Sequence, residues 1–448
     1  MDHLGLLADA TALAAPSADV RAKTALILAD TIGAIVGGAA EAEVRALSER
    51  LANEGRGDAA VIGHGLRTSP KIAALLNGTA GTALEMDEGH QFAKGHPAIH
   101  VIPAILAAAS TIPCPGRDLL DAIAVGYEAA ARVGIATSLR PSMHPHGTWG
   151  AIGAAVGVLR LSGKSAAQHR EAMNMAASLG STPSRNTMLE GGTVRNVFAG
   201  VSNQTGLIVS DLVETGFSAD RNGVANVFGN VVSDSFDEAE LSRDLGSRWE
   251  VTRNYFKLHA CCRFNHAALD ALELLLVDAR GLGADAIAGI TVETYGLAVE
   301  LGDPEPRNVL AAKFSLPFAI AARIVTGSTG VESFAAGRIC DDRIRALAQR
   351  VDLREDPAMS ARLPDERPAR LTLTTRDGRK FTAKTNTNRG DWRDPFHERD
   401  LRDKFFSLTA RAWPPDQSEA IWSACLDLDR AADATPLLTL LAARKPIT

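Results

Sequence analysis

Cysteine is scarce in this 448-residue chain. There are five, Cys114, Cys261, Cys262, Cys340 and Cys425. The number is odd, and no C-x-x-C pair or zinc-like spacing occurs among them. That excludes a disulfide framework and points to a reduced, cytoplasmic protein. The adjacent Cys261-Cys262 pair suits buried thiols better than redox chemistry, because neighbouring residues make a poor disulfide. Positive charge is also in deficit: 47 Lys and Arg stand against 53 Asp and Glu, a formal net charge of −6. A chain of that balance is a poor partner for nucleic acid or an anionic membrane, although one pocket of it can still be basic. There is no G-x-G-x-x-G, no Walker loop and no H-E-x-x-H, so the usual phosphate cradles and zinc-protease helix are absent. The first 40 residues lack the basic start and cleavage pattern of a signal peptide. Their apolar stretch is broken by Asp30 and reads as two buried helices, short of a membrane span.

Hydrophobic residues at 46% and charged residues at 22% give an ordinary globular composition. A chain of this length favours two domains. From residue 1 to 266 the pattern is Ala-rich helix punctuated by Gly and Pro. VRAKTALILADTIGAIVGG ends in a glycine pair read as a C-cap, and SPKIAALLNGTAG opens with Ser69 as N-cap and Pro70 at the first helical position. After His266 the character shifts. ALDALELLLVDAR is helical, DAIAGITVETYG is a β-branched run, and ARLTLTTRDGRKFTAKT reads as a hairpin around Asp377-Gly378. The expected fold is mostly α: a large all-helical domain over 1–266, completed by a helical tail at 396–448, plus a smaller α+β domain over 267–395.

Seven of the 11 histidines fall in three short stretches: His90, His96 and His100; His144 and His146; His259 and His266. Each stretch carries Gly or Pro, and Lys94, Arg140, Lys257 and Arg263 lie nearby. Titratable groups on loops, with cations beside them, suit proton transfer on a carboxylate-bearing substrate. Each stretch also has a plainer reading. His96 and His100 could satisfy backbone carbonyls at a helix start, and H-P-H-G at 144–147 could be a simple turn. No helical His-x-x-x-His or paired carboxylate supports a metal. Asp87 and Glu88 could be a solvated helix end, and Lys313 a surface residue.

Taken in order, NGTAGTALEMDEGH…GHPAIHVIPAILA, GYEAAARVG, MHPHGTWGAIGAAVGVLRL, KLHACCRFNHAALDALELL and AAKFSLPFAIAARIVTG resemble the successive signature blocks of the MmgE/PrpD family. The resemblance spans roughly residues 30–330 and includes the early GAIVGG block. The activities of that family include 2-methylcitrate dehydration, cis-aconitate decarboxylation and iminodisuccinate epimerisation. It implies a helical domain plus an α+β domain, a homodimer, an active site at the domain boundary, a small polycarboxylate substrate, and no metal or organic cofactor. The family's HP histidine lands on His96 and its F-H-P-T-G-T histidine on His144, with His146 at a threonine position. Its K-P-Y-P-A-C-x-x-x-H block lands on Lys257, Cys262 and His266, with His259 in place of the aromatic residue. Asp87 takes the second Asp of D-F-D-D-T, Glu85 the first and Glu88 the third, and Gly89 replaces the threonine. The T-x-K lysine is Arg195, and the tyrosine of F-S-x-x-Y is Phe318.

These departures bear on the reaction. Arginine is effectively always charged and clamps anions, whereas lysine can give up a proton. With Arg195 for lysine, and without the tyrosine and threonine hydroxyls, the machinery for a leaving group is altered while deprotonation is retained. The resemblance therefore suggests an epimerase of iminodisuccinate. His96, His144 and Lys257 would be acid and base, with the lysine pKa lowered, and Asp87 would orient a histidine. Arg195, Arg263, His146, His266 and Lys94 would hold carboxylates. The alternatives are a hydro-lyase or decarboxylase of the same substrate class, and a non-catalytic polycarboxylate-binding paralogue.

Overall fold

The computed structural model describes residues 1–279 and 281–443. Arg280, at the end of the expected helix 268–280, and residues 444–448 of the expected helical tail lie outside the described residues. Among the described residues, twenty-one α-helices and a few small sheets make the fold 57% helical, so the mostly-α reading with a smaller α+β region is what the structure has.

The main core is built by Ala18–Ala39, Pro70–Thr82, Pro97–Ala109, Gly116–Ala136, Gly150–Leu161 and Val197–Glu214. Small residues set the distance between their axes. A Cβ on Gly38 would run into the Ala80 carbonyl oxygen, one on Gly81 into Ile99, and one on Gly200 into the Leu75 carbonyl oxygen. This corrects the expected C-cap at the glycine pair. Gly37 and Gly38 lie inside a helix that runs on to Ala39: the crossing with Pro70–Thr82 requires Gly38, and Gly37 faces Leu84 and Leu408. Ser69 does precede Pro70 in extended conformation, but its side chain makes no capping bond.

The N-terminal stretch forms two helices, His3–Leu13 and Ala18–Ala39. The second, at 22 residues, is long and apolar enough to cross a membrane, contrary to the expectation that Asp30 would cut it short. It lies in the protein core, and Asp30 is accommodated there because Lys404 Nζ sits 2.6 Å from its carboxylate. Lys404 also donates to the Met86 carbonyl at 2.6 Å and belongs to Glu398–Thr409, which packs on Ala18–Ala39.

A second core lies beneath a four-stranded sheet ordered Lys380–Thr385, Ala369–Thr375, Ile287–Thr294, Val351–Glu355. The first three strands are antiparallel neighbours and the last pair is parallel. Ala369–Thr375 alternates buried and half-buried residues, with Ala369, Leu371, Leu373 and Thr375 inward. It turns back at Asp377-Gly378, where Gly378 takes φ +87°. Helix His266–Asp278 packs on this sheet.

One small pairing positions the site. Gly89–His90 runs antiparallel to Asn254–Tyr255, joining the loop after Pro70–Thr82 to the segment that leads into Lys257. Behind it His90 Nε2 meets Glu250 at 3.1 Å, the Glu250 amide donates to Glu128 at 2.7 Å, and Glu128 pairs with Arg132 at 2.6 Å, all buried.

Candidate active site

Four irregular segments converge. The first, Ala83 to His96, carries Glu85 at φ +55° and Asp87, and it ends where Pro97 starts a helix. A residue before proline is pushed to extended conformation, and His96 has φ −125° and ψ 78° at that boundary. The second is the His144–His146 loop ahead of Gly150–Leu161, turned by Gly147 at φ +92°. Arg195 lies in the 3₁₀ turn Thr193–Asn196 leading into Val197–Glu214. Lys257 follows the strand Asn254–Tyr255.

Their side chains form a charged floor and a wall of rings. Glu85 bridges two cations, with Arg195 Nη2 at 2.5 Å and Lys257 Nζ at 3.2 Å. Lys257 also donates to the Glu85 carbonyl at 2.9 Å and lies 4.0 Å from Asp87. Asp87 meets His96 Nδ1 at 2.7 Å. His146 stands at the centre of the ring wall, its centroid 4.7 Å from His96 and 4.8 Å from both His100 and His144. Its Nδ1 is buried without a hydrogen-bond partner among the described residues, so a polar group entering this space finds an unpaired nitrogen. Tyr255 faces His96 edge-on at 6.2 Å and Arg263 lies 4.4 Å from its ring.

Burial alone would push both carboxyls up. Arg195 and Lys257 overcome it at Glu85, and His96 with Lys257 at Asp87, so both are held below the usual carboxylate range. Burial pulls Lys257 down, but Glu85 and Asp87 outweigh it and leave the amine above the ordinary lysine value. This corrects the expected lowering: Lys257 is a fixed cation. Burial, then Arg195 and the neighbouring rings, hold His144 and His146 well below the ordinary histidine value. Burial brings His100 to about 4. His100 Nδ1 faces the His96 carbonyl at 2.8 Å and its Nε2 accepts from the Gly147 amide at 3.3 Å, which fixes one neutral tautomer.

Of the residues singled out in the sequence, His96, Asp87, His144, His146, Arg195 and Lys257 come together here. Lys94 does not. It is exposed, and its amine donates to the Thr137 carbonyl at 3.0 Å. Arg263 borders the site through Tyr255, and its two Nη atoms are turned to the carbonyls of Phe256, Asn388 and Arg389 and to His266 Nδ1 at 3.1 Å. His266 passes its other nitrogen to the Cys261 carbonyl at 3.2 Å. His266 has both ring nitrogens engaged, whereas Arg263 keeps its buried Nε without a partner among the described residues. Asp87 and Glu88 are not a solvated helix end, and Lys313 is not at the surface. All three are buried, Glu88 accepting from Ala98 N at 2.8 Å and Lys313 donating to the Ala83 carbonyl at 2.7 Å. Sequence reasoning gave no site role to Glu85 or Tyr255, and its plainer reading of His100, as the partner of a backbone carbonyl at a helix start, is the contact His100 makes with His96. The spacing of Tyr255 two residues before Lys257, in extended chain, is a signal that could have found it. Among the described residues no group of three or more His, Cys, Asp or Glu is arranged to hold a metal ion.

The MmgE/PrpD N-terminal domain pattern matches residues 3–238 and the MmgE/PrpD C-terminal domain pattern residues 259–429. The chain belongs to the MmgE/PrpD family. The charged floor and ring wall of this MmgE/PrpD protein draw on the first matched region, from Glu85 to Arg195, and on Lys257, which lies between the two. Similar proteins include the cis-aconitate decarboxylase of Mus musculus, 25% identical over 395 residues covering 84% of this chain and 79% of the mouse protein. The cis-aconitate decarboxylase of Homo sapiens is 25% identical, covering 85% of this chain and 81% of its own length. That of Aspergillus terreus is 26% identical, covering 85% and 83%. These relatives are enzymes named as decarboxylases, so they favour the lyase alternative over the epimerase expected from the substitutions.

Proposed function

We propose that this MmgE/PrpD chain is a cofactor-independent lyase that cleaves a bond at the carbon next to a carboxylate in a small polycarboxylate of the cis-aconitate type. The observation that carries the reading is the meeting of fixed cations, Arg195 and Lys257, with the Asp87–His96 pair and the neutral His144–His146 rings in one buried place. The cations would hold the substrate's carboxylates and offset the negative charge that builds up as the bond breaks. In decarboxylation the C–C bond to the departing carboxylate breaks and CO₂ leaves. The electron pair passes into the remaining unsaturated carboxylate. His96, oriented by Asp87, would return a proton to carbon and be recharged from solvent. The working form we propose is a cytoplasmic homodimer.

The test is a panel of cis-aconitate, 2-methylcitrate and iminodisuccinate followed by NMR in D₂O, with CO₂ trapped. CO₂ release from cis-aconitate with one deuterium entering the product is the expected result. Unchanged cis-aconitate and 2-methylcitrate would refute the lyase. A second reading, epimerisation of iminodisuccinate, draws on Arg195, which stands at the family's lysine position with its guanidinium on Glu85, and on Phe318, which stands at the tyrosine position and packs in apolar core beside Phe334. Racemisation with solvent exchange at the α-carbon, and no CO₂, would select it.

A further inference from the structure

The anion seat of this site is already filled by the protein's own side chain. Glu85 presents its two oxygens to Arg195 and Lys257 as a substrate carboxylate would. The charges also balance. Arg195 and Lys257 face Glu85 and Asp87, all four buried, and Asp87 has His96 as a further partner. A di- or tricarboxylate added to that set would bring unpaired negative charge into a buried place, which is costly. Something acidic must yield when it enters. Asp87 is held from two sides, by His96 and Lys257. Glu85 lies in a left-handed conformation at φ +55°, which residues with a Cβ adopt only when the surroundings impose it. Its amide reaches the Thr82 carbonyl at 3.3 Å, a long bond for a segment in which strain is held by side-chain contacts. Arg195 Nε, meanwhile, is buried without a partner among the described residues, a donor still available to a ligand.

We propose that Glu85 is an internal stand-in for a substrate carboxylate: it holds the Arg195–Lys257 seat in the empty enzyme and gives it up when a polycarboxylate enters. The inference rests on the polycarboxylate reading of the site, but it concerns binding and not turnover. The stand-in sets affinity, because ligand must compete with a tethered carboxylate that leaves the seat open only part of the time. It also sets specificity: a monocarboxylate replaces one anion by one anion, whereas a tricarboxylate gains additional contacts for the same displacement.

The experiment is calorimetric titration of the full-length protein and its E85Q variant with tricarballylate, a saturated tricarboxylate, which separates binding from reaction. Gln keeps the shape and removes the charge. The expected result is a Kd for E85Q lower by ~10-fold or more, corresponding to a seat open ~10% of the time or less in the unaltered protein. Equal or weaker binding by a folded E85Q, or no binding by either protein, overturns the proposal. Should E85Q not fold, hydrogen exchange on the unaltered protein decides. Saturating tricarballylate is expected to speed exchange at the Glu85 amide and its neighbours over 83–89 as the side chain leaves, whereas a Glu85 that stays in place gives unchanged or slower exchange there. Tighter binding by E85Q with no turnover of any substrate would uphold the stand-in and refute the lyase. Turnover of cis-aconitate with unchanged E85Q affinity would do the reverse.

Discussion

Lys257 is the side chain whose removal has the most calculable effect. In Lys257→Met the stem stays and the charge goes. The amine touches Glu85 Oε2 at 3.2 Å and the Glu85 carbonyl at 2.9 Å, and lies 4.0 Å from Asp87, with no exposure to solvent. Breaking a buried pair by deleting one partner costs about 3–5 kcal/mol. Each carboxylate keeps one partner here, Arg195 on Glu85 at 2.5 Å and His96 on Asp87 at 2.7 Å, so the cost falls at the lower end, ~3 kcal/mol at pH 7.5. Its pH dependence identifies the cause. Both carboxyls are held low in the native protein, so their stabilisation is fully present above their unfolded pKa values, near 4 to 4.5, and is lost as pH falls through the folded values. Without Lys257 those folded values rise. The stability gap between variant and parent therefore is widest at neutral pH and narrows as pH falls from the variant's raised folded values towards the parent's, below the usual carboxylate range. Urea unfolding of both proteins across that range measures it. A gap independent of pH, or below ~1 kcal/mol throughout, would refute Lys257 as the counter-charge of this pair.

Two further outcomes are expected. Burial raises the Glu88 carboxyl to about 8, against its bonds from Ala98 and Tyr127. The folded state thus keeps a proton that the unfolded state releases above pH 4.5, and the group costs stability progressively from there to about pH 8. Glu88→Gln is therefore expected to unfold like the parent at pH 5 and at a higher temperature at pH 8.5, and parallel curves would count against a protonated Glu88. Gly38→Ala drives a methyl into the Ala80 carbonyl oxygen, a backbone atom that cannot step aside, and is expected to cost about 1–3 kcal/mol or more in denaturant unfolding. A neutral result would mean the two helices separate freely.

Local chemistry made much of the architecture readable before any coordinates. Asp377-Gly378 sits at the hairpin tip because that pair tolerates the turn, and helix Pro70–Thr82 starts at its proline. What could not be read is what depends on partners distant in the chain. Val351–Glu355 has two apolar residues in five and joins the sheet by parallel pairing with Ile287–Thr294, a partner some 60 residues earlier that no local pattern announces. The glycine pair at 37–38 looked like a helix end because its reasons, the Ala80 backbone against Gly38 and the Leu84 and Leu408 side chains against Gly37, come from distant segments. In the site, the segments bearing Asp87, His96, His144, Arg195 and Lys257 were visible as clusters of unusual residues. Their state of charge was not, since Lys257 is held protonated by Glu85, 172 positions away. Arg263 and Lys94 looked as cationic as Arg195 in one dimension, and only the fold shows the Lys94 amine and the Arg263 Nη atoms turned to backbone carbonyls.

The two-residue ladder between Gly89–His90 and Asn254–Tyr255 has a mechanical consequence. With Lys257 anchored to the Glu85 carbonyl on one side of it and Glu250 gripping His90 on the other, the acidic loop and the lysine strand are riveted into a single plate. A visitor cannot prise them apart without tearing several buried bonds at once.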